Sequence, residues 1–188
     1  LDSALDRVLA EDVVSPINVP GFDNSAMDGY AIRHQDLSSG TTFNLVGKSF
    51  AGTPFNGEVG KHQCVRIMTG AQIPAGADAV VMQENTVANN SEITVTHSVK
   101  LGEAIRIAGS DIVKKSIVLS KGKRLNAIDI GLLASIGISN VPVLRKLKVA
   151  LFSTGDELLQ PEDTPQQGKI FDSNRPMLRA ILRRLGAA

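Results

Sequence analysis

Residues 19–33 read Val19-Pro-Gly-Phe-Asp-Asn-Ser-Ala-Met-Asp-Gly-Tyr-Ala-Ile-Arg33. This stretch places two acids and several small polar residues between apolar ones, and it is dense in turn formers. Pro20-Gly21 and Asp28-Gly29 are turn signals, because proline presets φ and glycine tolerates positive φ. We therefore expect the acids to lie on ordered loops and not within buried strands. Such a segment is typical of a functional site.

Two further segments have the same character. They are Arg66-Ile-Met-Thr-Gly-Ala-Gln-Ile-Pro-Ala-Gly-Ala-Asp-Ala-Val-Val-Met-Gln-Glu84, and Ala150-Leu-Phe-Ser-Thr-Gly-Asp-Glu-Leu158 followed by Ile170-Phe-Asp-Ser-Asn-Arg175. Together with residues 19–33, they resemble the molybdopterin molybdenumtransferases, the molybdenum insertases of molybdenum-cofactor synthesis (the MoeA and gephyrin E-domain family). The likeness covers nearly the whole chain. Because the chains of that family are considerably longer, the resemblance implies an amino-terminal fragment.

The resemblance also implies a fold of mixed α and β class. It consists of β-rich composite amino-terminal domains followed by the truncated start of an α/β domain like those that bind molybdopterin. A first, mixed and dimer-forming domain is expected over residues 1–22 and 107–146, with a β-rich domain inserted over 23–106. Residues 147–188 are then the first strand, loop and helix of the α/β domain.

Composition narrows the classes of partner. The 188 residues carry 20 Lys and Arg against 19 Asp and Glu, a net charge of +1 that argues against nucleic acid or a membrane surface. No apolar run approaches the ~20 residues of a membrane span. The single Cys64 predicts a buried thiol and a reducing, cytoplasmic compartment. The histidines lack the spacing of a zinc site.

Local patterns predict the secondary structure. Short β-branched runs cut by turn residues predict strands from residue 12 to about 118, with Asn89-Asn90-Ser91 as a hairpin turn. Helices are predicted over Ser3–Ala10, after an Asn126 cap, and after Asp172 or Ser173. Their expected buried stripes are Ile128, Leu132, Leu133 and Ile136 in the second helix, and Met177, Leu178, Ile181, Leu182 and Leu185 in the third.

The last segment begins with Leu147–Phe152, which is apolar enough for a strand covered on both faces. One strand and one helix cannot bury both faces of such a unit. We therefore expect disorder, dimer contacts or strand exchange in this segment.

The resemblance gives roles to residues of the first two motifs. It implies that Asp28 is a catalytic or metal-site residue and that Thr69 holds the pterin. From local sequence alone, Asp28-Gly29 is equally a tight turn whose carboxylate caps its own backbone, and Thr69-Gly70 a turn that ends a strand. Glu84 is either a site carboxylate or a salt-bridge partner.

Later motifs supply the rest of the implied site. The resemblance gives Asp111 and Glu157 active-site roles, although each also fits a turn or a cap, and Arg106 pairs with Asp111 or with a ligand phosphate. Ser153, Thr154 and Gly155 follow a predicted strand, where α/β domains bind their ligands, so they are candidates for cofactor binding. Asp156 and Glu157 would repel a phosphate unless a cation bridges them, which predicts magnesium, with Asp28 as a further ligand.

The implied activity of the longer parent is the insertion of molybdate into adenylylated molybdopterin, with release of AMP. The fragment alone is expected to be inactive. A homodimer is implied, with molybdopterin adenylyltransferase and apo-molybdoenzymes as pathway partners. Two alternatives remain: the adenylyltransferase step itself, which would not need the β-rich Val19–Val118 region, and a gephyrin-like scaffold, which would not need Asp28, Asp111 and Glu157 together.

Overall fold

The computed structural model describes residues 1–187. It divides into two compact units, Leu1–Val141 and Pro142–Ala188. This boundary lies a few residues before the one expected from the sequence. The further division of the first unit into a domain and an insertion stays a prediction.

The first unit is mostly β-structure. Its elements in chain order are β1 (Val13–Val14), β2 (Asn24–Ser25), β3 (Gly29–Ile32), β4 (Thr42–Ser49), β5 (Gln63–Ile67), β6 (Ala79–Met82), β7 (Thr86–Asn89), β8 (Glu92–Val95), β9 (Ile105–Arg106), β10 (Ile117–Leu119) and helix α1 (Ala127–Ser135). Short 3₁₀ turns cover Asp2–Ala4, His34–Ser38 and Gln83–Asn85.

A six-stranded sheet in the order β6-β3-β5-β4-β8-β7 forms the centre of this unit. Phe43, Ile32 and Ile93 pack on one of its faces with Cys64, whose burial confirms the prediction. Asn89 pairs with Glu92 at the end of the β7–β8 hairpin, as the turn signal predicts.

Strand β3, an inner strand of this sheet, is not expected from the sequence, because Asp28-Gly29 reads as a turn. β3 is buried along its whole length and pairs antiparallel with both β5 and β6. Gly29 is required there, since a Cβ on it would lie 1.9 Å from the carbonyl oxygen of Val81. Asp28 itself lies just outside the strand and is exposed, in agreement with the expected loop position.

Segments that precede the strands of the six-stranded sheet in the chain pair with segments that follow them. β1 pairs antiparallel with β10, β2 with β9, and isolated bridges join Val8 to Arg124 and Val19 to Ile112. The chain therefore returns to its beginning after it completes the sheet.

The predicted helix over Ser3–Ala10 is wrong. The 3₁₀ turn ends at Ala4, and Asp6 has a positive φ of 63°. Beyond it, the backbone N–H groups of Asp6 and Leu9 donate to the carbonyls of Leu125 and Lys123. Pairing with a distant segment has overridden the local helical pattern.

Helix α1 confirms the predicted Asn126 cap. The side chains of Asn126 and Asp129 each accept a hydrogen bond from the other's backbone N–H, both at 3.0 Å. Leu133 and Ile136 are buried as expected, but Ile128 is 82% exposed. Asp129 is buried on this helix in place of Ile128, because its carboxylate both caps the helix and pairs with Lys123 at 2.9 Å.

The second unit contains β11 (Leu158–Leu159), β12 (Ile170–Phe171) and helix α2 (Asn174–Arg184), with the two strands parallel. The strand predicted over Leu147–Phe152 does not form. A strand needs a hydrogen-bonding neighbour, and none of the described strands of this unit pairs with that segment. The expected α/β domain is therefore not confirmed.

Helix α2 begins after Asp172, whose Oδ1 accepts a hydrogen bond from the backbone N–H of Arg175 at 3.0 Å. Gly186, with a positive φ, follows its last turn, as expected. Of the stripe predicted to be buried, Leu182 is half-buried and the other four residues are exposed: Met177, Leu178, Ile181 and Leu185.

Candidate functional site

Asp28 and Thr69 meet at one end of the central sheet. Gly29 of β3 is paired with Ile67 of β5, so the residues just outside the two strands lie side by side. Asp28 Oδ1 accepts hydrogen bonds from the backbone N–H and from the hydroxyl of Thr69, both at 2.8 Å. The Asp28 carboxylate is therefore held by Thr69, in the turn that follows the neighbouring strand β5, and not by the backbone of its own turn.

These contacts set the charge of Asp28. Its pKa lies below the ordinary value, first because of the Thr69 backbone N–H, then the Thr69 hydroxyl, with a further contribution from the Arg66 guanidinium. Among the described residues, no hydrogen bond uses Oδ2 of Asp28. The site thus presents an ionised, oriented carboxylate with one oxygen available to a water, a cation or a polar ligand group.

Three further residues belong to this end of the sheet and were not singled out from the sequence. Gln83 donates its backbone N–H to the Asp28 carbonyl at 3.1 Å. Arg66 donates from Nη2 to Gln83 Oε1 and stacks over Tyr30, 4.9 Å from the ring centroid. Arg66 and Gln83 stand near the two ends of the second motif, but sequence spacing gives no sign that they touch.

The structure pairs Asp111 with Arg106, the alternative that the sequence left open. The guanidinium Nη2 lies 2.8 Å from Asp111 Oδ2, and both side chains are about half exposed. Ser110 donates weakly to Oδ1 at 3.4 Å. The carboxylate of Asp111 is thus engaged by its own loop, and these contacts do not bring it to Asp28 or Thr69.

The motif Ser153–Glu157 lies in the second unit as an exposed loop. The strand expected before it is absent, so its position at the carboxyl end of a strand is not confirmed. The Glu157 carbonyl accepts the Ile170 N–H at 2.9 Å, which ties the loop to β12. The adjacent carboxylates of Asp156 and Glu157 are both open to solvent.

Asp172, which the sequence predicts as a helix cap, is buried below this loop. The Ser153 hydroxyl, followed by the Arg175 backbone N–H, holds the pKa of Asp172 below its ordinary value. Its Oδ2 has no hydrogen bond of good geometry and lies 3.8 Å from Arg175 Nε. Asp172 therefore organises the start of α2 and fits the capping role.

Two classes of feature are missing from residues 1–187. No three His, Cys, Asp or Glu side chains come together there in a way that could hold a metal ion. None of the described helices has the length and hydropathy to cross a membrane.

The pairing of Asp28 with Thr69 places residues of two of the sequence motifs in one site. Residues 1–137 match the family described as MoeA N-terminal region (domain I and II). The chain belongs to the MoeA family. This confirms the resemblance drawn from the three motifs.

Relatives of this MoeA-family chain are similar along nearly all of it. The molybdopterin molybdenumtransferase of Haemophilus influenzae is 48% identical over 186 residues, which are 98% of this chain and 46% of the relative. That of Staphylococcus epidermidis is 43% identical over 191 residues, 99% of this chain and 46% of the relative. The chain therefore spans less than half the length of these curated relatives.

A solved structure is similar to this chain over the same extent. The crystal structure of the molybdopterin biosynthesis MoeA protein from Pyrococcus horikosii superposes with a TM-score of 0.91 at 36% identity, and the match covers 99% of this chain and 49% of that one.

Proposed function

We propose that the whole protein carrying this chain is a molybdopterin molybdenumtransferase, which inserts molybdate into adenylylated molybdopterin and releases AMP. The proposal is supported by the names of its relatives. The observation that carries it within this chain is the Asp28 carboxylate, held ionised by Thr69 at an exposed end of the sheet. A charged group fixed in this way costs little reorganisation when it meets a ligand.

The catalytic residues of this proposal are Asp28, Asp111 and Glu157. Asp28 orients a water or a cation through Oδ2, while Thr69 keeps its other oxygen occupied. Asp111 is neutralised by Arg106, so a substrate phosphate that takes over the guanidinium would free the Asp111 carboxylate for the reaction. In this proposal the Asp111 carboxylate becomes available only when the substrate is bound, so the ligand itself completes the site.

The cofactor-binding residues are Thr69, for the pterin, and Ser153, Thr154 and Gly155, whose hydroxyls and backbone N–H groups suit a phosphate. Asp156 and Glu157 fit a magnesium ion, since Mg²⁺ is usually bound by one or two carboxylates together with substrate phosphates and waters. Asp28, whose Oδ2 is free of the Thr69 hydrogen bonds, is a separate proposed contact for a cation. Bound there, Mg²⁺ would screen the negative charge of the phosphoanhydride that is cleaved.

We also infer a homodimer. Val14 and Ile117 are direct partners across the β1–β10 pair, and both are exposed, as is Ile128 on α1. Apolar side chains on regular elements that face solvent are typical of an interface. In the pathway, molybdopterin adenylyltransferase would supply the substrate and apo-molybdoenzymes would accept the product. A cytoplasmic location fits the buried, reduced Cys64.

Molybdate-dependent release of AMP from adenylylated molybdopterin tests the proposal. We expect release by the whole wild-type protein and by an Asp2→Asn control, whose exposed carboxylate lies outside the three motifs. The Asp28→Asn variant should no longer release AMP, although it should keep the fold. A folded wild-type dimer that releases no AMP would overturn the insertase assignment and favour the scaffold.

A further inference from the structure

Three of the hydrogen bonds of Gln83 link it to Asp28, Arg66 and Glu84 at one end of the sheet. Its backbone N–H donates to the Asp28 carbonyl at 3.1 Å. Its side-chain Oε1 accepts from Arg66 Nη2, and its Nε2 donates to Glu84 Oε1 at 3.2 Å. One residue therefore links the main chain of one acid to the side chain of another.

The chemistry of the partners fixes the orientation of the Gln83 amide. A guanidinium can only donate hydrogen bonds, so the group that faces Arg66 must be the carbonyl oxygen. An ionised carboxylate can only accept, so the group that faces Glu84 must be the NH₂. The opposite orientation would lose both contacts, and the amide is thus held in one of its two positions.

Arg66 is itself fixed by its place in the sheet. It is paired with Tyr30 across β3 and β5, and its guanidinium stacks over that ring. Within residues 1–187, no carboxylate lies within salt-bridge distance of Arg66. Its directed contacts are therefore to neutral groups, Gln83 and Tyr30, and its position does not depend on an ion pair.

We propose that Gln83 is a positioning residue, which holds Glu84 as a second carboxylate beside Asp28 and is itself held by Arg66. Gly29 pairs with Met82, so the next residues, Asp28 and Gln83, are neighbours across the strand ends. Glu84 lies on the 3₁₀ turn that follows. This inference rests on the proposed function, since it assigns Glu84 to the same reaction site.

The sharpest test is Gln83→Glu in the whole protein. The variant keeps an oxygen for Arg66 but turns a second carboxylate toward Glu84 in place of the NH₂. We expect kcat for AMP release to fall about 10- to 100-fold, with KM changed much less, because a misplaced group costs rate and not ground-state binding. The melting temperature should stay within about 2 °C of wild type, since the Arg66 contact is retained.

Two comparisons separate positioning from general stability. Gln63→Met is the matched control, because Gln63 Oε1 also accepts a backbone N–H, that of Gly60 at 2.9 Å, outside the site. It should lower the melting temperature without lowering kcat. Arg66→Lys, which can still donate to Gln83 and stack on Tyr30, should keep most of the kcat that Arg66→Met loses. If Lys and Met lower kcat equally, or if kcat follows the melting temperature through all variants, the proposal is overturned.

Amide hydrogen exchange gives a readout that needs no activity. In the 188-residue chain, Arg66→Met should speed exchange at the Gln83 N–H, and Gln63→Met should not. Unchanged exchange at Gln83 would overturn the positioning role. Absence of AMP release from the wild type would instead remove the proposed function and leave the exchange result to decide the role of Arg66.

Discussion

Thr69 supplies both hydrogen bonds to Asp28 Oδ1, one from its backbone and one from its hydroxyl. Thr69→Val removes only the second. We therefore predict that the pKa of Asp28, measured by carboxyl ¹³C NMR titration of the 188-residue chain, rises toward the ordinary value of 3.8 without reaching it. The larger influence, that of the backbone N–H, remains.

Thr94→Val is the control for this titration, because Thr94 shares its hydroxyl with Thr42 across β4 and β8, at 3.2 Å. It removes the same atom type from the same sheet and should leave the pKa of Asp28 unchanged. An unchanged Asp28 titration in Thr69→Val would show that the hydroxyl does not bind the carboxylate.

Sequence motifs identified Asp28 and Thr69 individually, because long stretches around each resemble a known family. They did not show that the two side chains bond to each other. That contact depends on the pairing of β3 with β5, which joins residues far apart in the chain. Arg66 and Gln83 were missed for the same reason, since an arginine in a strand and a glutamine after one carry no local signal.

Asp129 gives a prediction about pH at the scale of the helix. Its burial raises the pKa, but the Asn126 backbone N–H and Lys123 together lower it below 3.8. A depressed pKa contributes stability above the unfolded value, and this stability is lost as pH falls through the folded value. Asp129→Asn should therefore destabilise the protein at neutral pH by about 1 kcal/mol, and urea unfolding should show this difference shrinking below about pH 4.

An Asp129→Asn deficit that is the same at pH 3 and pH 7 would contradict this account, because the stabilising contribution of Asp129 would then not depend on its charge. Asp163→Asn, which changes an exposed carboxylate that caps a turn in the second unit, is the comparison. It should alter the stability of the first unit at neither pH.

Strand β3 makes a second prediction at this scale. Gly29→Ala places a Cβ 1.9 Å from a backbone oxygen of β6, so the two strands must separate. We expect a loss of at least about 3 kcal/mol in urea unfolding. Gly131→Ala, in the middle of α1 with no atom within 4 Å of the new Cβ, should instead gain about 0.5–1 kcal/mol. A mild Gly29→Ala phenotype would mean that β3 and β6 do not pair this closely.

Elements defined by neighbouring residues were predictable, and elements defined by distant pairing were less so. The Asn126 cap and the β7–β8 turn are local, and both are confirmed. Leu147–Phe152 has the composition of a buried strand, but composition supplies no partner for its hydrogen bonds. The helix predicted over Ser3–Ala10 is wrong for the converse reason. The backbone of this segment pairs with residues near Leu125 and therefore does not form a helix.

The two units of the chain differ in how they bury apolar surface. The first has its own core around Phe43 and Ile93, whereas Phe152 and Leu185 of the second are exposed. We predict that residues 1–141 alone unfold cooperatively in urea and bind less of the dye ANS than the 188-residue chain. Non-cooperative unfolding of residues 1–141 would show that the core depends on the rest of the chain.

The proposed homodimer is tested in the whole protein by Ile117→Lys and Ile128→Lys. Both residues are exposed in the part of the chain predicted to form the dimer. In a twofold interface each substitution occurs in both subunits, so burying the new charges should weaken the dimer about tenfold or more. Val87→Lys is the control, because Val87 is apolar and about as exposed as Ile117 but lies on the edge strand β7. Sedimentation equilibrium should show dissociation for Ile117→Lys or Ile128→Lys and not for Val87→Lys; equal dimer strength in all three would place the interface elsewhere.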